Sequence, residues 1–338
     1  MPRGAEAFIT FNFYTKTASA WAPQGHLVAW EQIQLAKAAP APQLRPRPLT
    51  VTADRLTVSG GDWQLRFNKT TGLLTSLSAA GREWLADADA GPRLQVWRAA
   101  TDNDGIKLRA VQNNSLLSRW LAHNLDQVRL RLKDLTVSGS AVRAVHEASG
   151  RGQWDDFRHE QLFAVLADGS LRVTNRVTLG RNMTVDLPRV GVVWRLAPGL
   201  EQVRWLGLGP LDNYSDRRAA AIVSVHENTV SGLHVPYVMP QEHGNHTATR
   251  WVELRAADGG AALRFTGAPL LDFSASHYTA DDLFKAKHTI DLTPRPETVL
   301  NLDLAQRGLG TASCGPDTLE QYRLHGRRHT FTYTLTVA

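Results

Sequence analysis

The dominant pattern along the chain is an alternation of apolar and polar residues with a period of two. Residues 171–179 (LRVTNRVTL) place leucine and valine on one face and polar side chains on the other, and residues 128–133 and 330–337 alternate in the same way. Turn-forming residues at 68–72 and 167–170 separate such runs. These patterns predict strands with one face toward a core and one toward water, as in antiparallel sheets.

Signals for helices are few and short. Ser115 is a candidate N-cap for a helix over residues 116–124, and Thr279 is a candidate N-cap for one over residues 280–286. No long helices alternate with the strands, which disfavours a β/α barrel or a doubly wound sheet. The sequence therefore predicts an all-β protein.

A proline-rich segment divides the chain. Residues 36–48 read AKAAPAPQLRPRP, and this proline spacing favours an extended, semi-rigid connector. Before it, residues 7–14 and 26–35 are typical of two strands, which are too few to bury a core. We expect them to be the end of a sandwich domain whose earlier strands are missing. The predicted organisation is an N-terminal piece over residues 1–37, a linker over residues 38–48 and one large sandwich over residues 49–338.

Composition indicates a folded protein and narrows its partners. Of 338 residues, 43% are hydrophobic and 21% are charged, unlike a disordered chain. No apolar run approaches the roughly 20 residues that span a bilayer, and residues 1–7 lack the apolar core of a secretion signal. A single cysteine, Cys314, permits no internal disulfide and favours the cytoplasm. The net charge is +6, but arginines are scattered singly along strands, so we expect no nucleic-acid partner.

Four segments point to a known family. They are residues 96–104 (VWRAATDND), 205–217 (WLGLGPLDNYSDR), 235–245 (VPYVMPQEHGN) and 300–310 (LNLDLAQRGLG). In this order they resemble the C-terminal region of family 2 glycoside hydrolases of the β-galactosidase type, a region called the β-galactosidase small-chain domain. Residues 21–32 resemble the end of the immunoglobulin-like domain that precedes it in that family.

The resemblance implies a fold and a parent reaction. The fold is a large antiparallel supersandwich of the galactose-mutarotase type, preceded by a remnant of an immunoglobulin-like β-sandwich. The reaction is hydrolysis of terminal β-galactosides with retention, performed by two carboxylates on a separate β/α barrel. Because that barrel lies outside this chain, we expect no catalytic residue, metal or cofactor here. The expected partners are the barrel-bearing remainder of the β-galactosidase and a galactoside substrate, while assembly into a homo-oligomer stays open.

The resemblance also singles out one loop. Residues 308–316 (GLGTASCGP) match a family loop that reaches from this domain toward the barrel. In the best-known members a tryptophan stands at the position of Cys314 and contacts the aglycone, so the thiol implies a wider or differently shaped entrance. The predicted substrate-entrance loop consists of Gly310, Thr311, Ala312, Ser313 and Cys314. A buried, structural Cys314 is an equally open alternative.

Acidic side chains elsewhere are expected to be structural. If Asp155 and Asp156 are adjacent on a strand, they point to opposite faces and cannot converge on one bond. Asp281 and Asp282 fall in the first turn of a predicted helix, where acids are favoured. One interpretation of residues 102–104 (DND) is a cation site. We favour a second one, in which their Asp and Asn side chains form hydrogen bonds with backbone amides and so stabilise a loop.

Three further sets of residues have structural interpretations. The same Asx interpretation holds for residues 212–216. Residues 242–246 (EHGNH) lack the helical HExxH spacing and contain Gly-Asn, which favours a turn over a zinc site. Tryptophans such as Trp63, Trp194 and Trp251 are expected in the core more than as sugar platforms.

The sequence thus favours one function and keeps two alternatives. The favoured function is the C-terminal portion or small subunit of a β-galactosidase, which completes the active-site entrance and assembly surface and is not catalytic alone. The alternatives are a stand-alone carbohydrate-binding module and a mutarotase-like sugar enzyme. No histidine stands in a mutarotase motif, and fold similarity is weak support for a function. The extra N-terminal strands fit a truncated fragment better than a natural small chain.

Overall fold

The chain forms two compact units, Met1–Leu44 and Arg45–Ala338. The structure is a computed structural model, and it describes residues 5–39, 43–52, 54, 56–107, 115–257 and 259–338. Residues 40–42 of the predicted linker lie outside the described residues.

The N-terminal unit contains an antiparallel hairpin of strands β1 (Ala7–Tyr14) and β2 (Leu27–Ala36). The two strands expected in this region are therefore confirmed. Large apolar side chains of the hairpin, including Phe11, Phe13 and Ile33, are exposed within the chain. Two strands have no second layer that would cover such side chains. Their origin in an immunoglobulin-like domain stays a prediction.

The second unit contains a small and a large antiparallel sheet. The small sheet has five strands in chain order: β3 (Thr50–Val51), β4 (Thr57–Gly60), β5 (Trp63–Phe67), β6 (Leu74–Ala79) and β7 (Arg82–Glu83). The large sheet has twelve strands: β8 (Arg93–Gln95), β9 (Arg129–Val137), β10 (Val142–Ser149), β11 (Phe157–Val165), β12 (Leu171–Leu179), β13 (Arg189–Leu196), β14 (Gln202–Gly209), β15 (Ile222–Thr229), β16 (His246–Arg255), β17 (Ala262–Ser276), β18 (Thr298–Gln306) and β19 (Arg328–Val337).

Strand β17 connects two parts of the large sheet. The main path runs β15-β14-β16-β17-β19-β12-β11-β10-β9, and a branch runs from β17 through β18 and β13 to β8. Residues 263–268 of β17 pair with β19, whereas residues 272–276 pair with β18. One long strand thus contributes to two layers, as strands do at the corners of β-sandwiches.

Aromatic side chains fill the space between the layers. Trp194 of β13 contacts Phe265 of β17 and Tyr333 of β19, with ring centroids 5.7 and 6.3 Å away. On the small sheet, Phe67 of β5 meets Phe163 of β11 edge to face at 5.2 Å. Edge-to-face pairs of this kind add to the stability gained from burial itself. These contacts place the branch strands and the small sheet against the main path of the large sheet.

Within the described ranges, two short α-helices accompany the sheets, and both are confirmed predictions. Helix α1 (Leu116–Ala122) begins at Ser115, whose side chain accepts a hydrogen bond from the Ser118 amide. Helix α2 (Ala280–Lys285) begins with a capping box between Thr279 and Asp282. Single turns of 3₁₀-helix lie at Leu125–Gln127, Ser231–Leu233, Thr289–Asp291 and Glu320–Tyr322. Among the described residues the longest helix has seven residues, so none of these helices can cross a bilayer.

The alternation seen in the sequence matches the burial of the strands. In β12 each leucine and valine is buried, and the same apolar face is buried in β19 and half-buried in β9. The prediction of an all-β protein with antiparallel strands is confirmed. The tryptophan prediction is confirmed for Trp63 and Trp194, which are buried, whereas Trp251 is half-buried beneath Arg264.

The expectation that Asp155 and Asp156 share a strand is wrong. Both lie in the turn that precedes β11. The buried Asp156 carboxylate accepts hydrogen bonds from the Ser149 hydroxyl and the Arg151 guanidinium, each at 2.7 Å. These bonds hold the chain in a turn where the alternation alone suggests an extended backbone.

A small polar cluster interrupts the apolar interior between β11 and β12. The Asn175 side-chain oxygen accepts a hydrogen bond from Gln161 and lies 3.1 Å from Nε2 of His159. Both His159 and Asn175 are fully buried. Burial lowers the pKa of His159 to about 4, because the charged imidazolium would lose its hydration. The folded chain therefore holds this histidine in its neutral form.

Gly191 provides a test of the packing between β13 and β18. A Cβ at this position would lie 2.0 Å from Oδ1 of Asp303 and 2.5 Å from the Leu302 carbonyl oxygen. We expect Gly191→Ala to lower the free energy of unfolding by about 3 kcal/mol, because the added methyl displaces a buried carboxylate. Urea unfolding followed by near-UV circular dichroism measures this change. Gly139→Ala, where a Cβ meets nothing within 4 Å, should leave stability unchanged; equal losses would contradict this packing.

His159 makes a pH-dependent contribution to stability. In the unfolded chain a histidine has a pKa near 6.5. Between about pH 4 and 6.5 the unfolded chain therefore binds a proton that the folded chain excludes, so this contribution makes stability rise with pH. We expect the stability difference between wild type and His159→Gln to shrink by roughly 2 kcal/mol from pH 7.5 to 5. Urea titrations at both pH values test this, with the exposed His288→Gln as control; a constant difference for His159→Gln argues against a neutral buried histidine.

Candidate functional site

The segment predicted to form the entrance loop is an exposed turn. We call residues 308–316 the Cys314 loop. The amides of Cys314 and Gly315 both donate hydrogen bonds to the Thr311 carbonyl, at 3.2 and 2.7 Å. Every residue from 311 to 316 is exposed. The interpretation of Cys314 as a buried hydrophobe is therefore wrong, because its thiol lies on the surface of this chain.

The N-terminal stem of the loop closes on the carboxylate of Asp216. This carboxylate accepts hydrogen bonds from the amides of Leu309 and Gly310, at 2.9 and 2.8 Å. A Cβ on Gly308 would lie 2.6 Å from the same carboxyl group, and Gly310 has a φ of +66°. Glycine is therefore needed at both positions, once for close approach and once for a left-handed backbone.

Asn103 fixes the loop from a second side. Its side-chain nitrogen donates to the Gly310 carbonyl at 2.7 Å, and its side-chain oxygen accepts from the Ser313 amide and hydroxyl. Asp104 is buried and accepts a hydrogen bond from the Thr101 amide at 2.9 Å. The prediction that residues 102–104 stabilise a loop through hydrogen bonds to backbone amides is thus confirmed. In addition to their own loop, these residues hold the Cys314 loop, which is distant in sequence.

Two buried arginines lie beneath the stem. Arg98 donates to both oxygens of Asp104, at 2.6 and 3.1 Å, and to the carbonyls of Arg307 and Gly308. Arg307 in turn pairs with Asp186 and Asp317, at 2.6 and 2.8 Å. The side chains of Arg98 and Asp104 have no exposed surface. Hydrogen bonds to main-chain carbonyls therefore anchor residues 307 and 308 directly to the interior.

A second charged group extends this anchor deeper into the fold. Arg189 binds Asp303 at 2.5 Å and lies 3.5 Å from Glu242. Burial alone would lower the pKa of Arg189, but the charges of Asp303 and Glu242 outweigh it and raise the pKa. Gln306 donates to Asn245 and, at longer distances, to Glu242 and Asp303.

Residues 242–245 form a bend without the hydrogen bonds of a turn, and His246 is already the first residue of β16, so the turn predicted over residues 242–246 is not formed. Gly244 has a φ of +75°, and its amide donates to Asp212. The Asn245 side chain donates a hydrogen bond to the Asn213 carbonyl at 2.9 Å. This bond links residues 242–245 to residues 212–216. Within the part of the chain that the structure describes, no group of three His, Cys, Asp or Glu side chains is arranged to hold a metal ion.

A polar cavity of about 280 Å³ lies beside the Cys314 loop. Its lining includes Asp102, Asn103, Arg119, Ser313 and Asp317. Burial would raise the pKa of Asp317, but hydrogen bonds from Arg307 outweigh it and hold the pKa below its usual range. An ionised Asp317 and the nearby polar groups suit hydrogen bonding to a hydroxylated molecule at the loop.

The structure unites the five predicted loop residues in one turn, but the anchoring residues were not predicted. Arg98, Arg307 and Asp216 all lie inside the segments that carry the family resemblance. Their role depends on contacts across more than 90 positions of sequence, such as Asp216 with Gly310. In the sequence, Arg307 stands directly before Gly308, and this was the available signal. It does not show which distant residues these two contact.

The acidic side chains of Asp281, Asp282 and Glu242 have structural roles. Asp282 caps α2 and pairs with Arg295 at 2.6 Å, and Asp281 pairs with Lys285 at 2.9 Å. Glu242 is buried beside Arg189. Each of these carboxylates is engaged by a positively charged neighbour.

Comparison with known families identifies similarity over both units. A family model described as Beta galactosidase small chain matches residues 59–336, and one described as Beta-galactosidase, domain 4 matches residues 1–36. The chain is 30% identical over 355 residues to a β-galactosidase of Arthrobacter sp. (strain B7), covering 98% of this chain and 33% of that protein. It is 30% identical to a β-galactosidase of Klebsiella pneumoniae (strain 342), covering 99% and 32%. The chain spans about a third of the length of these curated relatives.

Solved structures that are similar to this chain at low sequence identity include the following two. One is a galactose mutarotase-like protein from Lactobacillus casei ATCC 334, with 13% identity, a TM-score of 0.43 and coverage of 83% of this chain and 99% of that chain. Another is a galactose 1-epimerase from Lactobacillus acidophilus NCFM, with 9% identity, a TM-score of 0.44 and coverage of 88% and 99%. Both similarities concern the fold alone.

Replacing Asp216 tests the anchoring of the loop. Asp216→Ala leaves the amides of Leu309 and Gly310 without their acceptor. We expect hydrogen exchange of residues 308–316 to become at least about tenfold faster, because each lost bond contributes roughly 1 kcal/mol. Hydrogen-exchange mass spectrometry measures this effect. The exposed Asp62→Ala serves as control; exchange in the loop that is unchanged by Asp216→Ala would show that other contacts hold it.

Proposed function

The chain belongs to the β-galactosidase small-chain family, and from this we propose that it is the C-terminal portion or small subunit of a β-galactosidase. In this role it completes the active-site entrance and an assembly surface, and it is not catalytic alone. Its partner is the barrel-bearing remainder of the enzyme, and the substrate is a terminal β-galactoside. We place the assembled enzyme in the cytoplasm, since the chain has a single cysteine.

The state of the carboxylates supports a non-catalytic role. Retaining glycosidases need two carboxyl groups about 5 Å apart across a glycosidic bond that reaches them. Glu242 and Asp303 share the charge of Arg189, but both are buried. A sugar cannot approach them without disrupting the core. Asp281 and Asp282 are engaged by Lys285 and Arg295.

The observation that carries the proposal is an exposed loop tip on a rigid stem. Residues 311–316 are exposed, whereas Asp216, Asn103 and Arg98 hold the stem. A loop already held in one conformation loses little entropy when it contacts a substrate. Such a loop suits the edge of an active site whose reactive groups belong to another domain.

Cys314 would then influence substrate choice. A thiol offers a small, polarisable surface where a tryptophan would offer a large stacking face. We propose that Cys314 faces the aglycone and leaves room for bulkier leaving groups. Its exposure in this chain is compatible with that position.

Complementation tests the proposal. We expect the purified chain to leave o-nitrophenyl β-galactoside unhydrolysed, and to restore turnover when mixed with the remaining domains of a related β-galactosidase. In that assembly, Cys314→Trp should change kcat/KM at least about threefold between substrates with small and aromatic aglycones, since stacking contributes roughly 1 kcal/mol. Steady-state kinetics on both substrates measures this ratio.

A matched variant distinguishes the effect of a tryptophan in the Cys314 loop from the general effect of a new exposed tryptophan. Ser140→Trp lies in the exposed turn between β9 and β10 and should leave the ratio unchanged. Turnover by the chain alone would contradict the non-catalytic role. An unchanged ratio in Cys314→Trp would contradict the position of the loop at the entrance.

A further inference from the structure

Three arginines surround Thr178 on the polar face of the large sheet. Thr178 of β12 pairs directly with Arg158 of β11 on one side and with Arg328 of β19 on the other. Residues that pair directly across antiparallel strands share a face, with Cβ atoms about 5 Å apart. Arg176 precedes Thr178 by two positions on β12, so its side chain leaves the sheet on the same face. We call these four residues the Thr178 cluster.

The cluster is open to solvent. The side chains of Arg158 and Arg176 are 50% and 55% exposed, and Arg328 is exposed as well. Within the described structure, Arg158 and Arg176 each make one side-chain hydrogen bond, both to Glu160, at 3.3 and 2.5 Å. A guanidinium carries five N–H donors, so most donors of the cluster face solvent and can reach a ligand.

The carboxylate of Glu160 offsets only part of the charge of the cluster. Glu160 is shared by three arginines, because Arg143 also donates to it, at 2.7 Å. Arg328 has no carboxylate oxygen within 4 Å among the residues that the structure describes. The cluster therefore carries three positive charges and shares one negative charge with a fourth arginine.

Another carboxylate on this face is engaged by other cations. Glu147 of β10 pairs directly with Arg158, yet its carboxylate binds Arg131 and Lys133, at 2.6 and 3.3 Å. Like charges on neighbouring strands of a sheet repel each other and destabilise it. An anion that binds at the Thr178 cluster would relieve this repulsion, which favours its binding.

The geometry of the donors selects the kind of anion. A planar guanidinium fits two oxygens of a phosphate group, and such charge-assisted hydrogen bonds are stronger than neutral ones. The three arginines project from three adjacent strands, so they can bind different oxygens of one tetrahedral group. A flat monoanion such as nitrate offers a single charge to the same three arginines.

We propose that the Thr178 cluster binds a dianionic phosphate group. Its oxygens accept hydrogen bonds from Arg158, Arg176 and Arg328, and the Thr178 hydroxyl donates from the floor of the site. The site lies on β11, β12 and β19, and it does not depend on the function proposed for the Cys314 loop.

Nuclear magnetic resonance tests the site without any assay of activity. The ¹⁵N-labelled chain is titrated with sodium phosphate to about 50 mM, a range that covers millimolar affinities, while sodium chloride keeps the ionic strength constant. We expect the amide resonances of Thr178 and Arg328 to shift and saturate. Arg328→Gln should weaken binding about threefold, and a double variant with Arg158→Gln about tenfold, because each change removes an exposed charge-assisted contact.

A parallel titration identifies the source of the phosphate group. Glycerol 2-phosphate carries the same dianionic group on a neutral alcohol. Saturation at a concentration similar to that of inorganic phosphate indicates a site for esterified phosphate. Saturation with inorganic phosphate alone indicates a site for the free ion, and either result supports the proposal.

Arg204→Gln is the matched control. Arg204 lies on β14 of the same sheet, is 50% exposed and pairs with Glu227, so its replacement lowers the net charge equally at a distance from the cluster. Three results would overturn the proposal: shifts that do not saturate, equal weakening by Arg204→Gln and Arg328→Gln, or nitrate that binds as tightly as phosphate. Because Arg328 takes part in no ion pair of the described structure, Arg328→Gln decides the outcome even if the double variant does not fold.

Discussion

The buried guanidinium of Arg98 is the interaction on which the arrangement of the loops depends. It has no exposed surface and neutralises Asp104 while binding the carbonyls of residues 307 and 308. A charge in the interior persists only if it is paired and its hydrogen bonds are satisfied. Removing one partner of such a pair typically costs 3–5 kcal/mol, so neither end of the interaction can change alone. Segments separated by some 200 positions are therefore held in one relative position.

The four segments that carry the family resemblance meet at this anchor. Arg98 and Asp104 come from the first, Asp216 from the second and Gly308 from the fourth. The third contributes Asn245, which binds Gln306 and the Asn213 carbonyl. In this chain, the segments that carry the family resemblance therefore converge on the stem of one loop. Cys314 lies in the exposed tip of the loop, so the size of its side chain does not affect the contacts that hold the stem.

The sequence predicted local structure well and distant partners poorly. Alternation revealed β12, and capping residues revealed α1 and α2, because these features depend on neighbours within a few positions. The division of β17 between two layers and the pairing of Arg98 with residue 308 depend on topology, which local patterns do not encode. The exposed state of Cys314 was undecided for the same reason, since small apolar residues occur both in cores and in turns.

The position of β19 has a consequence for biosynthesis. It lies between β12 and β17 and pairs with both, although the ribosome makes both strands earlier. Until β19 emerges, the facing edges of β12 and β17 carry unpaired backbone groups, which are prone to pair with other chains. Because these contacts span a long stretch of sequence, they form slowly. Nascent chains should therefore need protection from chaperones until this strand closes the gap.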